Sequence, residues 1–144
     1  MVAAVARRLG ARLGRRGVAL TLLGTGKVCY GLGFALQPHP DPRGLSLLTG
    51  AGGLRCWAYM WIVCGAVTAA CAWVKVGRDR WGFLAALVPP FFWGASFLWG
   101  AAVGDYPRGL AIAAWYATSH VGIILWAATL PEHSVPPPAP GGGE

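Results

Sequence analysis

Lys27 and His120 are the residues of this chain whose type and position set up a chemical problem. Each falls at the middle of a long apolar run: Lys27 is the tenth residue of Val18 to Leu36 and His120 the eleventh of Leu110 to Leu130. Runs of that length cross a bilayer, so both side chains come to rest near mid-depth. An ammonium there costs ~2.5 to 3.5 kcal/mol on insertion scales, and ionisable residues so placed are functional candidates by default. No acidic residue lies at matching depth to pair with Lys27. It must deprotonate, reach backbone carbonyls or a threonine, snorkel, or face water. For His120 there is also a plain structural reading, a hydrogen bond to a neighbouring helix.

Other chemistry is sparse. No nucleophile motif, phosphate loop, paired carboxylates or dinucleotide fingerprint occurs, and the chain reads as a protein with no enzymatic activity, no catalytic residues and no cofactor. Cys29, Cys56, Cys64 and Cys71 form no C-x-x-C, and His39, His120 and His133 fall at different depths, so no metal site is expected. The formal net charge of +7 does not point to nucleic acid. Much of it comes from Arg7, Arg8, Arg12, Arg15 and Arg16, and no folded basic face is left to track phosphates. Anionic lipid headgroups are the partner these N-terminal arginines fit.

The elements that must position Lys27 and His120 are four apolar runs, about 18–36, 56–74, 81–103 and 110–130, of 19, 19, 23 and 21 residues. At about 1.5 Å of rise per residue each spans a hydrocarbon core of roughly 30 Å. With 56% hydrophobic and 12% charged residues, what remains between the runs is too little for a soluble catalytic domain. The fold class is all-α, a polytopic four-transmembrane-helix bundle. Residues 1–17 form a basic N-terminal segment, 18–130 the transmembrane domain, and 131–144 a Pro/Gly-rich tail expected to be disordered or polyproline-like.

Cations set the orientation. The first five arginines and Lys75, Arg78 and Arg80 fall on one side, whereas the other two loops carry Arg43, Arg55 and Arg108. The positive-inside rule puts both termini in the cytoplasm of a multi-pass plasma-membrane protein. The first run is too long for a signal-peptide core and its only small-x-small site, Gly33 to Ala35, is poor, so it is expected to be retained. Before it, Val2, Val5, Leu9 and Leu13 recur at helical spacing away from the arginines, as in a helix lying in the headgroup plane. Gly10, Gly14 and Gly17 leave a frayed tail as the alternative.

An internal echo appears at an offset of 65 residues. Arg15-x-Gly17 matches Arg80-x-Gly82, Pro42-Arg43-Gly44-Leu45 matches Pro107-Arg108-Gly109-Leu110, and Leu22 and Trp61 match Leu87 and Trp126. Two parallel-repeat helical hairpins and chance coincidence both remain open. Asp41 with Arg43 and Asp105 with Arg108 mark outer turns, able to pair across the corner or to grip a headgroup phosphate. The apolar, Gly-rich stretch from Leu45 to Leu54 is expected along the outer interface.

Within the third run, Ser96, Gly100 and Gly104 form a small-residue ladder for helix packing, between helices of one chain or of two. Pro89 and Pro90 remove two amide donors, predicting a bend that is either static or a hinge.

The arginine-led first helix, the Pro42-Arg43-Gly44-Leu45 corner, Asp79-Arg80-Trp81-Gly82-Phe83 and Tyr106-Pro107-Arg108-Gly109 together resemble small four-helix membrane proteins of high-GC actinobacteria and their phages. The resemblance covers Arg15 to Pro131. Such proteins are commonly of unassigned function, some phage examples are suspected holins, and no functional residue carries over. Three functions stay open. The first is a bundle acting through contacts with itself or with other membrane proteins. The second is a holin-like pore, and the third a small transporter or proton-conducting unit using Lys27 and His120.

Overall fold

A computed structural model describes residues 2–38, 41–74 and 77–131, with side chains from Leu13 onward. His39, Lys75, the side chains of Arg7, Arg8 and Arg12, and the tail from Glu132 lie outside the described residues. The described residues are helical with no strand. Helix α1 runs Val2–Leu36, α2 Ser46–Ala51, α3 Leu54–Cys71, α4 Arg80–Ala102, α5 Gly109–Trp115 and α6 Ile123–Thr129. A π-helical segment, Tyr116–Gly122, joins α5 to α6.

Among the described residues four stretches are long and apolar enough to cross a membrane: Leu13–Leu36, Leu54–Cys71, Arg80–Ala102 and Gly109–Thr129. The chain is thus an all-α, multi-pass membrane protein. A continuous helix satisfies its own backbone groups, which hydrocarbon cannot do for it. The boundaries differ in instructive ways from those read off the sequence. The first span starts five residues earlier, at Leu13, because Gly14 breaks α1 with φ +67 and sends Val2–Leu13 in another direction. The second ends at Cys71 instead of Val74, since Ala72, Trp73 and Val74 close a tighter turn onto Ala69, Ala70 and Cys71.

Spans pack in chain order, α1 on α3, α3 on α4, and α4 on the fourth span. Two cores hold them. At the end where the first span begins and the fourth ends, Leu13, Leu20, Ala72, Phe83, Ala86, Ile124 and Ala127 form a largely aliphatic core from the first, third and fourth spans and the turn after the second. At the opposite end, Leu45, Leu48, Leu54, Trp61, Trp93 and Tyr116 form a largely aromatic one. The Leu45 to Leu54 stretch contributes to that core. Helix α2 turns Leu48 inward, and Trp57 Nε1 donates to the Leu48 carbonyl at 2.8 Å.

The sharpest contact is between α1 and α3. A Cβ on Gly24 would lie 2.5 Å from the Ala69 nitrogen, and one on Gly31 2.8 Å from the Ala58 carbonyl oxygen. On the other side, a Cβ on Gly65 would lie 2.7 Å from the Gly24 carbonyl oxygen. The two backbones therefore touch, which only glycine at those three positions permits.

The repeat-related positions are not equivalent in space. Trp61 is 2% exposed in the aromatic core, whereas Trp126 is 63% exposed. Gly44 takes φ +75 with Phe97 and Tyr106 packed on it, while Gly109 is helical and abuts the Phe97 carbonyl.

Candidate functional site

Beside its seam with α3, α1 meets the fourth span differently. Its backbone approaches α6 but neither α5 nor the π-helical segment. The gap is a cavity of about 670 Å³ lined by Leu22, Leu23, Gly26, Lys27, Tyr30, Trp61, Phe97, Ile112, Trp115, Tyr116 and His120. Lys27 and His120, 93 positions apart, thus share one chamber. On its rim Leu22, Tyr30 and Trp115 are exposed, so it opens sideways between the first and fourth spans.

Lys27 is 3% exposed. Its Cβ sits against the position a Gly65 Cβ would take, so the missing side chain on α3 makes room for the lysine stem. Its Nζ lies 5.8 Å from the centroid of the Trp61 ring, within cation–π range. Among the described residues no carboxylate pairs with it.

His120 is held by local chemistry. Its Nδ1 lies 3.1 Å from Ser119 Oγ, and its ring packs on Trp115 and Tyr116 at centroid distances of 4.7 and 4.9 Å. The helix widens here because side chains compete for its carbonyls. Thr118 Oγ1 donates to the Ala114 carbonyl at 2.9 Å and Ser119 Oγ to that of Trp115 at 2.5 Å. Such π-helical turns recur at functional sites in other helices.

Tyr30 and Tyr116 bridge the chamber. They lie one turn from Lys27 and His120 on their own helices, and their hydroxyls are 3.4 Å apart, longer than a well-formed O–H···O bond. Phe97 stacks on Tyr116 at 6.0 Å, and Trp93 meets Trp61 edge-on at 5.4 Å. The indole N–H of Trp61 is buried with no acceptor among the described residues. The sequence reading missed Tyr30, Trp61 and Tyr116. Tyr30 and Tyr116 carried a signal, the i to i+3 spacing from Lys27 to Tyr30 and the i to i+4 spacing from Tyr116 to His120.

The end of the bundle carrying the aliphatic core is closed by a second polar cluster. Arg16 Nε donates to Asp79 Oδ2 at 2.6 Å and its Nη1 to the Ala128 carbonyl at 2.7 Å, while its guanidinium lies 5.1 Å from the Phe83 ring. Asp79 also accepts from the Gly77 N–H at 3.0 Å. Arg16, grouped with the headgroup-binding arginines by sequence, is thus a tie between the first, third and fourth spans.

The remaining positions singled out by sequence have structural surroundings. Ser96 and Gly100 are buried against the first corner, with Ser96 Oγ donating to the Gly44 carbonyl at 3.3 Å. Gly104 lies beyond α4 at φ +83 with nothing near its Cβ position. Pro89 and Pro90 are fully buried, and α4 continues through both. At the first corner Arg43 Nη2 donates to Asp41 Oδ2 at 2.7 Å, and these side-chain hydrogen bonds hold the exposed Asp41 carboxyl below its ordinary range. No ion pair joins Asp105 to Arg108 among the described residues. Nor do three His, Cys, Asp or Glu side chains gather there as a metal site would require.

No protein-family model, curated protein or solved structure matches the chain.

Proposed function

We propose that this chain is a non-enzymatic plasma-membrane protein with both termini in the cytoplasm, and that it binds a small ligand inside the bilayer. This develops the small-transporter reading. The observation that carries it is the convergence of Lys27 and His120, each costly in hydrocarbon, on one side-opening chamber. A volume of about 670 Å³ falls within the roughly 300 to 1,000 Å³ of small-molecule sites. The bundle end bearing the aliphatic core and the Arg16–Asp79 pair is packed shut, which favours a binding chamber over an open pore. Part of the small-residue ladder that argued for self-association is spent within the chain, at Ser96 and Gly100. Arg7, Arg8, Arg12 and Arg15 remain the proposed contacts to anionic headgroups, beyond the break at Gly14.

The test is thermal unfolding of the protein in lipid nanodiscs against a panel of membrane-permeant anions, cations and neutral compounds. At least one class should raise the melting temperature of the wild type, and Lys27→Leu and His120→Leu should each abolish that rise. If no class stabilises the wild type, or if both variants respond as it does, the chamber is not a ligand site.

A further inference from the structure

Resting on that reading, we infer that the ligand is a lipophilic carboxylate, a singly charged acid on one apolar chain that enters from the bilayer. The walls of the chamber are one-sided. They offer donors from Lys27, Tyr30, Trp61 and Tyr116, an open ring nitrogen of His120, and not one Asp or Glu side chain. Among the described residues Lys27, 3% exposed, has no ion pair and the buried Trp61 N–H no acceptor, and the Tyr116 hydroxyl meets that of Tyr30 only at 3.4 Å. Ser119 Oγ gives its proton to the Trp115 carbonyl and accepts from His120 Nδ1, so the open Nε2 donates to an acceptor only when the ring is protonated. Buried polar groups in native proteins are almost always bonded, so Lys27, Trp61 and Tyr116, all buried, call for an acceptor that the described residues do not supply.

Charge and depth narrow the acceptor. One ammonium balances one negative charge, whereas a phosphate dianion would leave excess charge buried in a low-dielectric site. Lys27 and His120 stand near the middle of their spans, far from the headgroup layer. A two-chain phospholipid would have to pull its headgroup to that depth. A weak carboxylic acid reaches it by crossing hydrocarbon in its neutral form. On arrival it transfers its proton to the unprotonated Lys27 amine, leaving carboxylate and ammonium paired. The side mouth between Leu22 and Trp115 and the ring faces of Trp61 and Phe97 would receive the apolar chain.

Bromine-tagged dodecanoate, which quenches nearby tryptophans, tests this with the full-length protein in phosphatidylcholine nanodiscs. Quenching should saturate and be competed by dodecanoate but not by dodecanol or dodecylamine. Lys27→Leu should weaken binding about tenfold or more, as expected for loss of a charge-assisted bond, with Lys27→Arg and His120→Gln retaining more than Lys27→Leu and His120→Leu. Competitor selectivity on the wild type is decisive even if a variant folds poorly. Equal competition by the alcohol or the amine overturns the carboxylate. So does displacement of the tagged acid when phosphatidylglycerol replaces phosphatidylcholine, which would assign the donors to a phospholipid headgroup. Lys27-dependent binding of another class leaves the chamber a ligand site with a different ligand. Absence of any binder removes both proposals.

Discussion

Helix α1 presents two adjoining faces. Toward α3 it carries Gly24 and Gly31, and the backbones close until no Cβ would fit. Toward the fourth span it carries Leu23, Lys27 and Tyr30, facing Trp115, Tyr116 and His120 across a chamber. Without a hydrophobic driving force between helices in lipid, close approach depends on small residues and on packing. Glycine lets one side collapse, and large rings with two costly polar groups prop the other open. The contrast also separates the polar groups. Arg16 is spent on Asp79 and Ala128 at the closed end, whereas Lys27, half a span away, has no carboxylate among the described residues.

The largest effect is expected at the tight face. Gly24→Val would drive side-chain atoms into the α3 backbone, which cannot move aside as a flexible side chain can. It should cost about 3 kcal/mol, the upper end for overpacking. The readout is loss of monodisperse protein after detergent extraction together with a lower melting temperature. A variant melting like the wild type would show that the α1 to α3 seam is looser than described.

A comparable loss is expected at the closed end. Asp79→Asn removes the Asp79 carboxylate from Arg16 at a site where the two side chains are 17% and 5% exposed, which should destabilise by about 3 kcal/mol. Replacing both, Arg16→Met with Asp79→Leu, should recover much of that loss in the same melt. Failure to recover would mean that the Arg16 bond to the Ala128 carbonyl, and not the ion pair, holds the first and fourth spans together.

The smallest stability effect is expected at the open face. Gly26 has nothing within 4 Å of its Cβ position, so Gly26→Leu should change stability by less than about 0.5 kcal/mol. It should nevertheless narrow the mouth and slow binding of the tagged dodecanoate in stopped-flow quenching. Gly24 and Gly26 thus divide the two faces of one helix within a single turn: a valine at the first is ruinous, a leucine at the second is silent until a ligand is added. Unchanged kinetics would place the mouth elsewhere on the rim.

Much of this architecture was legible before the fold. The last two spans fall within one residue of their sequence bounds, because an apolar run flanked by charge has few alternatives in a bilayer. Leu13 was assigned to the N-terminal segment, yet it is buried in the aliphatic core, because the break at Gly14 depends on a backbone angle that residue type only permits. The ladder on α4 was found as a row of small residues, but its partner, the Gly44 corner, lies in a loop 52 residues away. The tighter seam at Gly24, Gly31 and Gly65 went unseen because those glycines make no regular four-residue row on either helix. The Asp79 partner of Arg16 was hidden in the same way, by a loop and 63 positions.

Sequence alone determined that this is a membrane protein of four crossings with Lys27 and His120 near mid-depth, since hydropathy and length are local properties that the solvent reads directly. It could not say whether those two side chains meet. That depended on which faces of the first and fourth spans turn toward each other, and rotation about a helix axis is set by long-range packing. The glycines that fix α1 against α3 rotate Lys27 to the edge of the seam, and the widened turn at Tyr116–Gly122 carries His120. Tertiary structure alone brought the two to one chamber, with Tyr30 and Tyr116 between its walls.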